Sequence, residues 1–376
     1  MAITSSPWFA LENVQTLDSP SLIIYSERVQ RNIKHMIDVA HGAEHLIPHV
    51  KTNKMPAVVQ LMLSAGISRF KCATIAEAEM LAMTGAQYVV IAHQLVPPKI
   101  ARLLALKQKY PTVFFASVLD NLHTAQQHSD FFVQHNATSD VFLDVNNGMN
   151  RSGAVLDDNT LELYRHIAAL PNVRLHGIHG YDGHIRDDKF TERRDKIELG
   201  FTGIEALCKS IEQEYGKPPM IIAGGTPAFS VHSAHLERFC SPGTCVLWDW
   251  GYEAILPEQQ YEYAALVLTR IISKPHRGLI AVDMGHKAVA AENPIDKRIR
   301  FLNLENYELV SQSEEHSVIR LSNEGAWELA QVGDVLYGVP YHVCPTVNLY
   351  DEAYWAENSV VTGVKDVLAR KRRITV

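Results

Sequence analysis

Lys51 sits inside the run Pro48-His49-Val50-Lys51-Thr52-Asn53-Lys54, and His342 and Cys344 flank Val343 near the other end of the chain. A lysine that follows an apolar strand can be held among groups that depress its pKa, which frees the amine to form a Schiff base. That is the linkage by which an enzyme holds pyridoxal 5'-phosphate (PLP). Lys54 competes for the same role, but residues 45–50 read as a strand that ends at Lys51. Lys51 should therefore point from the strand end into a site, while Lys54 should open the next helix. A His-x-Cys pair supplies an imidazole and a soft thiolate, which suits zinc, and residues two apart in a strand share one face. Two protein ligands leave open positions on a metal, the arrangement of a catalytic rather than a structural site. Asp283, Glu314, Glu315 and His316 are further candidates for the metal shell.

The elements that must position these residues follow from pattern. Short β-rich runs alternate with helical patterns, and the strands predicted are 45–51, 69–73, 88–93, 112–118, 140–145, 174–181, 220–223 and 236–240. Helices are expected at 26–40, 75–83, 98–109, 121–135, 161–169 and 191–215. Eight strands with such connections predict an α/β fold, a (β/α)8 TIM barrel over residues 26–255, with an open doubly wound sheet as the alternative. After residue 255 the texture becomes strand-rich, with strands expected at 264–272, 278–283, 317–321 and 334–339. Residues 1–25 plus 256–376 are therefore expected to form a second, β-rich domain that carries His342 and Cys344, with 21–25 available to pair with the late strands.

In such a barrel the strand C-termini carry the chemistry. Lys51, His93, the 146–151 segment, Tyr181 to His184, Gly224-Gly225-Thr226 and Gly243-Thr244 all fall there. Bare glycine amides after the last two strands can approach a phosphate closely.

Composition removes other classes of function. With 376 residues, 47% hydrophobic and 20% charged content and a net charge of -7, the chain has no basic surplus for nucleic acid or anionic membrane. It shows no run of about 18 apolar residues and no basic, then apolar leader at its start, so a cytoplasmic location is expected. Five widely spaced cysteines argue against a disulfide framework and allow one of them to act as a ligand.

Taken together these motifs resemble the fold type III PLP enzymes related to alanine racemase, specifically the D-threonine aldolase and D-serine dehydratase branch. The likeness runs through the opening 17–22 segment, Pro48-His49-Val50-Lys51-Thr52, Gly148-Met149-Asn150-Arg151-Ser152-Gly153, Tyr181-Asp182-Gly183-His184 and the two glycine turns, and it is most specific at Pro340 to Leu349. Ile47, Asn53 and Asn146 depart from the family's pattern. The resemblance implies PLP on Lys51, Arg151 beside its phenolic oxygen, an aromatic contact from Tyr181, and His184 near the substrate. It further implies phosphate at Gly224, Gly225, Thr226, Gly243 and Thr244. A divalent metal is implied on His342 and Cys344, zinc by the thiolate, with manganese or magnesium as alternatives, and a homodimer is the implied assembly.

The expected function is PLP- and metal-dependent lysis of a D-3-hydroxy amino acid. D-threonine cleavage to glycine and acetaldehyde leads, and a zinc-dependent D-serine or D-3-hydroxyaspartate dehydratase is the alternative. An amino-acid racemase and a non-enzymatic PLP-binding protein are the more distant readings.

Overall fold

The computed structural model describes residues 7–376 and divides the chain into two compact units. The first unit comprises Ile33–Cys245, Ile255–Gln259 and Ala369–Val376. Its strands run parallel in the order Arg69–Cys72, Tyr88–Gln94, Phe114–Leu119, Ser139–Asn146, Val173–Gly180, Met220–Ala223 and Arg238–Cys240. The predicted first strand is present only as two isolated bridges, Leu46 to Cys240 and His49 to Lys71. The Ile47 and His49 amides donate to the carbonyls of Cys240 and Pro242, each at 2.8 Å. On the other side the Val50 amide donates to the Lys71 carbonyl, and the Lys71 amide to that of Pro48, each at 2.9 Å. Pro48 has no N–H to extend a regular ladder, so the segment joins the first and last strands by few bonds. It nonetheless closes the sheet into a barrel.

Alternation along the strands sorts side chains into two layers. Val141, Leu143, Val145 and Ile178 pack outward with the helix residues Phe201, Ile204 and Ile211, whereas Ile47, Val90, Phe142 and Ile222 form an inner cluster. The even-numbered positions of Ser139–Asn146 therefore face inward, which places Asp140 and Asp144 inside the barrel with Phe142. Helices occupy the expected connections, at Ile75–Thr84, Lys99–Lys109, Leu122–Gln134, Thr160–Ala168 and Phe190–Tyr215. The helix at Ile75 opens with a reciprocal cap: the Thr74 hydroxyl accepts from the Glu77 amide at 3.1 Å, and the Glu77 carboxylate accepts from the Ala73 amide at 2.6 Å.

Adjacent strands come so close at Gly177 that a β-carbon there would lie 2.0 Å from the Met220 carbonyl oxygen. The obstacle is backbone and cannot rotate away. Gly177→Ala is expected to destabilise the barrel by about 2–3 kcal/mol. A denaturation midpoint unchanged from wild type would contradict this packing.

The second unit comprises the residues up to Asn32, Val246–Ala254 and Gln260–Leu368. It is built on a mixed nine-stranded sheet. Ser21–Tyr25 lies within it, antiparallel to Ala265–His276 and parallel to Glu352–Glu357. Its core gathers Val267, Ile280, Val282, Ile319 and Leu336 from four strands. Strands at Ile299–Phe301, Tyr307–Gln312, Glu352–Glu357 and Val360–Asp366 add to those expected from the sequence. One expectation is corrected: His342 and Cys344 do not share a strand face. The strand Val335–Pro340 ends before them, His342 is the N-cap of the short helix Val343–Val347, and Cys344 lies within that helix. Asp249 accepts the Val343 amide at 3.0 Å, and Thr346 donates its hydroxyl to the His342 carbonyl at 2.9 Å. These bonds stabilise the start of a helix where a strand was expected.

Candidate active site

The C-terminal ends of the barrel strands surround a cavity of about 430 Å³ whose wall includes Lys51, Lys71, Asp144, Arg151, His179 and Tyr181. Lys51 occupies the turn that follows the 46–50 segment, and its amide donates to His49 Nδ1 at 3.2 Å. Lys54 is engaged elsewhere, with its ammonium 2.5 Å from the fully buried Glu77 carboxylate. Three cations ring Tyr181: Arg151 Cζ lies 5.0 Å from the ring centroid, Lys71 Nζ 5.6 Å and Lys51 Nζ 5.8 Å. Burial, reinforced by the charges of Lys51 and Lys71, pushes the His49 imidazole well below its ordinary pKa. A pocket of this polarity favours an anionic ligand.

The two glycine turns lie behind residues of the cavity wall, Gly225 against Tyr181 and Gly243 against His49. Gly224 has φ +63, and a β-carbon on it would lie 2.6 Å from His232 Cδ2; one on Gly225 would lie 2.8 Å from Tyr181 Cε2. Thr226 joins the turns, because its hydroxyl oxygen accepts from the Gly243 amide at 3.1 Å and the Thr244 amide at 3.0 Å. A β-carbon on Gly243 would come within 2.9 Å of the His49 carbonyl oxygen. The amides of Gly224, Gly243 and Thr244 are bonded to the Gly180 carbonyl and the Thr226 hydroxyl, so what the turns offer the phosphate of PLP is side-chain-free backbone behind the cavity wall. A lysine, an arginine and an aromatic face on the same cavity suit its other parts. On these observations the residues fit the cofactor.

Sequence reasoning missed a buried chain of polar groups on the same wall. Lys71 Nζ meets Ser241 Oγ at 2.5 Å, the Gly224 carbonyl at 3.3 Å and His179 Nε2 at 3.4 Å. His179 Nδ1 lies 2.7 Å from Asp144 Oδ1. Burial lowers the pKa of His179 despite Asp144, while His179, Ser152 and Lys71 outweigh burial and lower that of Asp144. The pair is thus a neutral imidazole donating to a carboxylate, which leaves His179 Nε2 as an acceptor. Strand parity offers a signal for Lys71, since alternation in Arg69–Cys72 puts it on the face opposite the apolar Phe70 and Cys72.

His184 is not among the residues that line the cavity. It is exposed and borders a neighbouring recess with Asn147, Asp187 and Lys196. Its Nε2 lies 3.1 Å from where a β-carbon on Gly148 would stand, so it flanks the loop that carries Met149 and Arg151.

In the second unit His342 and Cys344 do meet, by a side-chain hydrogen bond, and Glu292 Oε1 lies 2.6 Å from His342 Nδ1. Burial opposes the charge on His342, but Cys344, Glu292 and the nearby Asp249 raise its pKa to about 9. An imidazole and a thiol that meet in this way offer a nitrogen and a sulfur to a metal cation, with Glu292 on Nδ1 orienting the imidazole. The other candidates are occupied: Asp283 bonds Thr269, Ser19 and the Arg270 amide, and Glu314 and Glu315 pair with Lys287. Of His316, the carbonyl accepts the Ser313 amide. Among the described residues Glu205, His235 and Glu237 form the one group of three donors within 4.8 Å. The buried Arg238 already neutralises Glu205 there, which disfavours a cation. Cys72, Cys208, Cys240 and Cys245 are buried and outside any disulfide, while Cys344 is half-buried.

Comparison with known proteins matches residues 24–248 to the family described as alanine racemase, N-terminal domain, and residues 264–356 to the one described as "Putative serine dehydratase domain". The chain is 28% identical to a 3-hydroxy-D-aspartate aldolase of Paracoccus denitrificans (strain Pd 1222), over 94% of this chain and 92% of that protein. It is 27% identical to a D-threonine aldolase of an Arthrobacter species, over 94% and 93%. The crystal structure of D-threonine aldolase from Filomicrobium marinum superposes with a TM-score of 0.84 at 24% identity, covering 97% of this chain and 99% of that one.

Proposed function

Because the chain belongs to the family described as alanine racemase, N-terminal domain, we propose that it is a PLP-dependent lyase that cleaves D-3-hydroxy amino acids by a metal-assisted retro-aldol reaction. The observation that carries this reading is the convergence of Lys51, Arg151 and Tyr181 on one cavity, with the two glycine turns packed against Tyr181 and His49 of its wall. Lys51 would hold the cofactor through its amine. The Gly224-Gly225-Thr226 and Gly243-Thr244 turns would hold the phosphate, Arg151 the phenolic oxygen and Tyr181 the ring. PLP when bound supplies a sink for the electron pair left at Cα, and a divalent metal on His342 and Cys344 supplies Lewis acidity for the substrate's β-oxygen.

His184 accepts the β-hydroxyl proton as the Cα–Cβ bond breaks. The bonding pair passes to Cα, a carbonyl forms at Cβ, and reprotonation at Cα completes glycine beside the released aldehyde. His184→Ala is expected to lower kcat by about 10²-fold while leaving the amount of bound cofactor unchanged. Equal kcat in the two proteins would remove His184 from this role. Its exposure makes the substitution benign for folding.

A second reading is supported by the match of residues 264–356 and by the soft Cys344 ligand. In that dehydration Lys51 takes the Cα proton and hydroxide leaves from Cβ. The stereochemical part of the proposal is tested by turnover of D-threonine and D-3-hydroxyaspartate against their L isomers. Consumption of the D isomers alone is expected, and equal consumption of both would overturn it.

A further inference from the structure

Lys71 is 1% exposed, lies on the cavity wall, and takes no part in the steps above. Confining an ammonium there is costly unless something pairs with it. Of its three contacts only that to Ser241 is short; those to Gly224 and His179 are 3.3 and 3.4 Å. Asp144 and Asp182 attract it, whereas Lys51 and Arg151 repel it, and His49 and His179 complete the titratable surroundings. Burial first and Lys51 second bring its pKa down to about 7. An acceptor delivered by a ligand would relieve that under-pairing.

PLP has four polar handles: the carbonyl at C4, the phenolic oxygen at C3, the phosphate arm at C5 and the ring nitrogen, which is para to C4. Resting on the proposed function, the first three belong to Lys51, Arg151 and the glycine turns. The ring nitrogen is left. Lys51, Arg151 and Lys71 are the three cations around the Tyr181 ring, and Lys71 is tied to Gly224, the first residue of one glycine turn, and to Ser241, which precedes the other. The neutral His179, fixed by Asp144, accepts from Lys71 and so favours the protonated amine. We infer that Lys71 donates a hydrogen bond to the ring nitrogen of the cofactor and keeps the proton on its own side of that bond. The ring nitrogen is then an acceptor, held by a lysine from the strand Arg69–Cys72.

The test uses the full chain reconstituted with PLP labelled with 15N in the ring, read by solid-state NMR alongside the visible absorbance that reports loading. Wild type should give the resonance of an unprotonated, hydrogen-bonded pyridine nitrogen. Lys71→Met should move it downfield toward that of free pyridine, and Lys71→Arg should restore it. Where Lys71→Met does not fold or load, Ser241→Ala and His179→Gln keep Lys71 but misalign it, and each should shift the resonance in the same direction by less. Identical resonances in the loaded wild type and Lys71→Met, no shift in either of the other two variants, or a protonated pyridine in wild type would each overturn the inference while leaving the proposed function intact. A wild type that binds no PLP would overturn both.

Discussion

Lys51→Ala is expected to lack the visible absorbance of lysine-bound PLP and to lose turnover by at least about 10³-fold, because no other amine can take its place without rearrangement. Lys71 is held by Ser241, and Lys54 is paired with Glu77. Lys54→Ala gives a contrasting result. It should retain the absorbance but lose stability, on the order of 3 kcal/mol, because it strands a buried carboxylate. Absorbance lost in Lys54→Ala and kept in Lys51→Ala would reverse the assignment.

The second large effect is expected at the metal pair. Cys344→Ala should lower the bound divalent metal at least tenfold and turnover by about 10²-fold, with the lysine-bound cofactor absorbance unchanged. Treatment of the wild type with a chelator should reproduce the loss, and zinc, manganese or magnesium added back should rank the metals. Glu292→Gln removes the carboxylate behind His342 and should weaken metal binding by roughly 10-fold. Equal metal content and activity in wild type and Cys344→Ala would remove the metal from these residues.

Much of this architecture is legible in the sequence because a barrel strand leaves a short apolar run followed by polar loop residues. Tyr88–Gln94, Met220–Ala223 and Ser317–Leu321 fall where their patterns place them, within a residue or so. The 46–50 segment has the same apolar signature, but Pro48 removes the donor that a regular ladder requires. The placement of Lys51, Arg151 and Tyr181 on one cavity follows from the rule that strand C-termini share a face. What sequence pattern conceals is side-chain pairing between distant strands. Lys71 to His179 and His179 to Asp144 join positions far apart in the chain, and no periodicity announces them. Likewise the turn at His342 depends on Asp249, which captures the Val343 amide from almost a hundred residues away. A His-x-Cys in isolation reads as strand alternation, and the helix start supersedes it.

The central claim is that the chain breaks a bond at Cα of a D-3-hydroxy amino acid, and product analysis tests it most directly. The holoenzyme, supplied with PLP and divalent metal, is incubated with D-threonine, D-3-hydroxyaspartate and D-serine, and the products are identified by mass spectrometry. The account predicts glycine in equal amount with acetaldehyde from D-threonine, and glycine with glyoxylate from D-3-hydroxyaspartate. Pyruvate and ammonia from D-serine with no glycine from the other two would replace the aldolase by the dehydratase. Conversion of the D substrates to their L isomers with every carbon–carbon and carbon–oxygen bond intact would contradict the account as a whole.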